Sequence, residues 1–261
     1  MKIDQFEDFL CDDLSWRKME ISQLFRLINS SENKDVLIKS SVLLLYAHWE
    51  GYIKRSSKYY LRYVSEKKVK IKNLTTNFKA IVLRKFALEC IERDSGTLTQ
   101  ELKFLQKHSK MEEKNFKLTI NVDNDFDKDI INTKDNLSSK TLSNITSIIG
   151  MKYNAAMKTR SNYVDSVLLK NRNAIGHGSK VSMGESEIEN ITFDTVVKLK
   201  NFVVLMLDYY KEILFDYAEK EFYLVENSSL REEYENNKEE ELSRKLDELQ
   251  LEVVHRVGNE E

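Results

Sequence analysis

Leu37-Ile38-Lys39-Ser40-Ser41-Val42-Leu43-Leu44-Leu45-Tyr46-Ala47-His48-Trp49 lies inside a stretch, roughly 34–67, whose spacing predicts one long helix. Leu37, Ile38, Val42, Leu43, Leu44 and Leu45 are spread nearly all round it. A helix apolar on most faces is the central member of a bundle. The totals agree: proline is absent and glycine occurs 7 times in 261 residues, against ordinary usage of about 5% and about 7%. A strand-and-turn protein needs those punctuators, so the chain reads as all-α. With 41% of its residues hydrophobic it can bury a substantial core.

Working outward, Phe6, Phe9, Leu10, Leu14, Met19, Ile21, Leu24, Phe25, Leu27 and Ile28 recur at helical spacing over 5–29. Asp12 or Ser15 is a candidate cap for a second segment there. Residues 74–108 carry a similar pattern with a break at Asp94-Ser95-Gly96. Residues 109–135 lose the period and read as an irregular insertion with a short strand at 116–122. Helical spacing resumes over 136–149, capped by Asn136 or Ser138 and stopped by Gly150. Thr192 or Asp194 opens a strong helix that runs to Tyr217. Residues 1–225 therefore read as a multi-helix bundle, and 226–261 as an acidic tail, helical or partly disordered.

The net charge of -2 hides two opposed blocks. Residues 51–90 hold 11 Lys or Arg against 2 Glu, interleaved with tyrosines and phenylalanines, a pattern that can track a phosphate backbone and stack on bases. The plainer account is a solvated helix whose aromatic stripe packs inward. Residues 218–261 hold 14 acidic against 6 basic side chains, so this end could fold back over the basic block, meet a partner, or remain a solvated tail. Cys11 and Cys90 are too few for a disulfide framework and read as buried thiols in a reducing compartment. The acidic start does not resemble a signal peptide, and the longest apolar runs are too short to span a bilayer. The expectation is a soluble cytoplasmic protein without membrane contact. Asp123, Asp125, Asp127 and Asp129 alternate like a calcium loop, but glycine is missing at the sixth position and the twelfth is Lys134, so no metal is expected.

The chemistry concentrates at Leu169-Lys170-Asn171-Arg172-Asn173-Ala174-Ile175-Gly176-His177-Gly178. An always-charged fork near a group that titrates around neutrality is what phosphate chemistry without a metal requires. The local alternative is a helix end with a basic residue and a histidine at the negative pole of its dipole. Five residues at about 100° each put Arg172 and His177 about 140° apart on a regular helix. Either the helix ends near Gly176, or residues from two chains meet one phosphate.

Arg172 to Gly178 resembles the Arg-(four to six residues)-His signature of the HEPN superfamily of all-α ribonucleases. Tyr163-Val164-Asp165 with Leu168-Leu169 resembles the lead-in to that motif in a bacterial defence-associated branch. The tract from Ala47 to Lys54, and Asn136-Leu137 followed by Leu142 to Gly150, are similar to that branch as well. The resemblance implies a HEPN-type bundle and cleavage of RNA, single-stranded by expectation, to a 2′,3′-cyclic phosphate without metal or cofactor. It implies two motifs meeting in a homodimer, in antiphage defence or as a toxin, with an inhibitory or sensor protein as a further partner. Arg172 would hold the phosphate oxygens, His177 would move the proton, and Asn173 would orient the imidazole. Asp165 would hold the guanidinium or form a plain ion pair. Glu50 and His48, with Lys54 beyond them, would rim the site or fill the bundle beside Trp49. Where partner-silenced HEPN toxins carry tyrosine before the histidine, this chain has Gly176, which argues against control by modification there. The rival readings are a non-catalytic module that binds RNA, nucleotide or protein, and an assembly protein working through its acidic tail.

Overall fold

The computed structural model describes residues 1–32, 34–91, 99–123, 130–134, 136–178 and 191–249. Its helices are α1 (Ile3–Ser30), α2 (Asp35–Glu66), α3 (Thr76–Ile91), α4 (Thr99–Met111), α5 (Ser139–Ile149), α6 (Ala155–Thr159), α7 (Lys170–Gly176), α8 (Phe193–Glu219) and α9 (Ser228–Glu248). A π-helical segment, Tyr163–Leu169, runs directly into α7. Helix α2 is the hub: α1 and α8 pack along it, and α5, the π segment and α7 complete its surround. Ile38, Val42, Leu45, Trp49, Tyr52, Tyr60 and Leu61 of α2 are buried. That is the placement its nearly all-round apolar surface requires.

Helix α1 is continuous, so neither Asp12 nor Ser15 caps a second segment. No glycine or proline interrupts it, and the buried Asp13 is neutralised one turn on by Arg17 Nε at 3.0 Å. The strand expected at 116–122 is absent; among the described residues there is no strand. Phe116 donates its N–H to Val69 O at 2.8 Å and Leu118 donates to Ser65 Oγ at 2.8 Å. The neighbour is the end of a helix and the turn after it, so a ladder has nothing to propagate along. The break expected at Asp94-Ser95-Gly96 lies outside the described residues.

Ser138 and Thr192 are the caps, accepting from Thr141 N–H and Thr195 N–H, each at 3.2 Å. Gly150 ends α5 at φ +82°, where a Cβ would stand 2.9 Å from Asn77 Oδ1. Part of the basic block is engaged within the fold. Arg55 pairs with Asp13 and Asp123, Lys70 and Lys72 share Glu113, and Lys58 is buried with its Nζ 3.4 Å from Asn121 O. Its tyrosines Tyr52, Tyr60 and Tyr63 sit in the core.

The acidic end is helical from Ser228 to Glu248 and docks on α6 and α8, not over the basic block. Leu242 and Leu246 enter the core, Glu239 meets Ala155 N–H at 2.9 Å and Lys152 Nζ at 3.0 Å, and Arg160 reaches Asp247 at 2.8 Å. Residues 250–261 lie outside the described residues. Cys11 is half-buried, its Sγ 3.7 Å from Lys211 Nζ, so the expectation of a buried thiol fails for it; the Cys90 side chain is outside the description. No described helix is long and apolar enough to cross a membrane.

Candidate active site

The turn that delivers the arginine is not a regular α-turn. In the π segment Lys170 donates its N–H to Asp165 O, five residues back, and π turns inside helices concentrate at functional sites. Asn171, almost fully buried, donates its side-chain amide Nδ2–H to Val167 O at 2.8 Å, one turn back. One residue on, Arg172 stands half-buried at the junction of α7, α2 and the approach to α5.

Three partners fix its guanidinium. Nη1 donates to Asn136 Oδ1 at 2.9 Å and to Asn173 Oδ1 at 2.7 Å, and the group lies over the Tyr46 ring, 4.6 Å from its centre. Two acceptors engage both hydrogens of Nη1. Among the described residues nothing hydrogen-bonds Nε or Nη2, the edge of the fork that matches two oxygens of one phosphate.

Tyr46 is buried on α2. Burial pushes its phenol well above the ordinary range, the Leu137 N–H opposes that shift, and the Glu50 carboxylate beside the hydroxyl adds to it. The hydroxyl accepts Leu137 N–H at 2.8 Å. Glu50 is thus drawn into the Arg172 neighbourhood through Tyr46, one turn away on α2. Lys54, half-buried, follows at the same spacing on that face.

His177 is exposed and stands just past the end of α7. Helix α7 ends at Gly176, and the His177 backbone N–H still meets Asn173 O at 2.9 Å. Among the described residues the imidazole makes no hydrogen bond or ion pair. Residues 179–190, which follow the motif, lie outside the described residues.

Three expected supports stand elsewhere. The Asn173 amide oxygen faces Arg172, not the imidazole. Asp165 does not hold the guanidinium; its carboxylate accepts Ser139 N–H at 2.8 Å and Ser139 Oγ–H at 2.5 Å, at the start of α5. The positive pole of a helix favours an anion there, and that site won it. His48 points from α2 toward α1, away from the rim. It lies 3.5 Å from Arg17 Nη1 and 3.2 Å from Glu20 Oε2, edge-on to Trp16. Burial first, then Arg17, lowers its pKa below 6.5.

The sequence reading gave no site role to Tyr46, Asn136 or Asn171, although Asn171 stands within the stretch from Leu169 to Gly178. The Tyr46–Glu50 spacing on one helix face was a signal for the first. For Asn136 the signal was its place in a tract that resembles the defence-associated branch, although it reaches Arg172 across 36 residues. Among the described residues no group of three His, Cys, Asp or Glu is placed to hold a metal ion. Of the calcium-like run, Asp123 pairs with Arg55, and Asp125, Asp127 and Asp129 lie outside the description.

Residues 6–223 match the family model described as MAE_28990-like HEPN. No curated protein and no solved structure matches the chain.

Proposed function

Because the chain belongs to the HEPN superfamily, whose model covers residues 6–223, we propose that it is a metal-independent endoribonuclease with Arg172 and His177 as its catalytic pair. The carrying observation is the guanidinium held by Asn136, Asn173 and Tyr46, its Nε–Nη2 edge uncommitted among the described residues, on a short helix followed directly by an exposed histidine. A planar fork fixed in advance is worth most where charge develops on the non-bridging oxygens of the scissile phosphate.

In the proposed reaction the 2′-oxygen of RNA bonds to the adjacent phosphorus and the bond from phosphorus to the 5′-oxygen breaks. One proton leaves the 2′-hydroxyl and one is delivered to the departing 5′-oxygen. His177, an imidazole that can take or give a proton, carries a proton in this exchange. The products are a 2′,3′-cyclic phosphate and a 5′-hydroxyl. DNA lacks the attacking group. Asn173 is assigned to the arginine and not to the histidine. Glu50 acts through Tyr46, and Lys54 supplies positive charge at the rim. We place two copies of the chain at the working site, each imidazole meeting the phosphate held by its partner's arginine. The setting is bacterial antiphage defence or a toxin system, with a sensor or inhibitory protein restraining the activity.

One observation favours a second reading, a HEPN module that binds RNA or nucleotide without cutting: no side chain of the described residues orients His177. A single experiment separates the two. Single-stranded RNA incubated with the purified protein in EDTA should be cut to cyclic-phosphate ends while the DNA counterpart persists, and His177→Ala should abolish cutting. Binding without cleavage by the unmodified protein would establish the second reading.

A further inference from the structure

Resting on the ribonuclease reading, we infer that Tyr46 and residues 136–139 are the positioning machinery of Arg172, aiming its Nε–Nη2 edge at the substrate phosphate. Within four residues this segment is stitched to three elements. Asn136 Oδ1 accepts from Arg172 at the start of α7, at 2.9 Å. Leu137 donates its N–H to the Tyr46 hydroxyl of α2 at 2.8 Å. Ser139 donates twice to Asp165 of the π segment, at 2.8 and 2.5 Å.

Tyr46 acts in two ways. Its ring lies against the guanidinium, and its hydroxyl holds the backbone that carries Asn136. A ring face together with two acceptors on one nitrogen leaves a planar group a single orientation. The Asp165–Ser139 link then sets the distance between the helix bearing the arginine and the segment bearing its acceptor. Asp165 and Arg172 therefore cooperate through α5 without touching. Tyr46 is buried and Asn136 half-buried, so the positioning is built into the bundle rather than assembled from surface side chains.

The consequence is kinetic. Displacing a catalytic group by about 1 Å can cost about 100-fold in rate. Removing an aid that acts only in the transition state lowers kcat and leaves KM in place. The test compares unmodified protein with Tyr46→Phe, Tyr46→Leu and Asn136→Ala by three readouts: cleavage kinetics, binding of a 2′-O-methyl RNA oligonucleotide that cannot be cut, and NMR of the Arg172 Nε–H.

Tyr46→Leu and Asn136→Ala should each lower kcat by about 10- to 100-fold, with KM and oligonucleotide binding within about twofold. Tyr46→Phe, which keeps the ring, should fall between them and the unmodified protein. The Arg172 Nε–H should be sharp in the parent and exchange-broadened in the Leu and Ala variants. Parental kcat with an unchanged Nε–H signal in those variants would overturn the proposal. If the parent cuts no RNA, the ribonuclease reading fails, and the NMR comparison alone decides the positioning: broadening sustains it and an unchanged signal ends it. Should Tyr46→Leu not fold, Asn136→Ala carries the same readouts.

Discussion

Arg172 and Asp165 show how far a residue type constrains its role. Both were legible as functional candidates, and a carboxylate seven positions before an arginine on a helix suggests a pair. In the fold the carboxylate goes to the N-terminus of α5, and the guanidinium takes two amide oxygens and an aromatic face instead. A π turn lies between the two residues, so spacing counted on a regular helix mis-phases them. His48 is the residue with the clearest pH consequence. It is buried among Arg17, Glu20 and Asp13, with its pKa lowered from 6.5. The unfolded chain therefore binds a proton at a higher pH than the folded one does. The His48 contribution to stability is complete above about pH 6.5 and is lost as pH falls from there toward the lower folded pKa. Urea midpoints of the parent should fall between about pH 7.5 and about pH 5.5, and His48→Gln should flatten that dependence. An equal slope in the variant would assign the effect to other groups.

At the scale of elements, α9 is the case where charge composition misleads. Fourteen acidic side chains across residues 218–261 describe a solvated tail, yet Leu242 and Leu246 at one helical turn bury completely against the bundle. The carboxylates beside them have specific partners: Lys238 and Lys245 hold Glu241 down at about pKa 2, and Glu235 takes the N–H of Lys152 at 3.1 Å and the hydroxyl of the buried Tyr217. Leu242→Ala should destabilise the protein by about 2–5 kcal/mol, read from denaturant unfolding, because it opens a cavity in a packed core. No loss would mean that α9 contributes no core. In the other direction, part of the basic block that reads as a nucleic-acid track is held in ion pairs within the chain, at Arg55, Arg62, Lys70 and Lys72.

For the whole molecule, the described chain places Arg172 in one short helix and His177 at its C-cap, with no described side chain orienting the imidazole, so the second copy is asked to complete the site. Mixing Arg172→Ala with His177→Ala protein tests this. If each site takes its arginine and histidine from different chains, random exchange gives about half mixed dimers with one intact site each, restoring about a quarter of parental activity. If each site lies within a single chain, the mixture stays inactive, and a monomer by light scattering would rule out the two-chain site. The sequence alone determined the all-helical class, α2 as the hub, the stop at Gly150 and the candidate pair Arg172 and His177, and it narrowed two helix caps to Asn136 or Ser138 and to Thr192 or Asp194. Those features depend on local chemistry, namely helical periodicity, capping hydroxyls, a left-handed glycine and a short motif. Only the tertiary structure decided which side chains hold Arg172, where Asp165 and His48 belong, and that the acidic helix docks on α6 and α8. Each of those outcomes is a competition among partners far apart in the chain, settled by which groups the packing of α2 brings within hydrogen-bond reach.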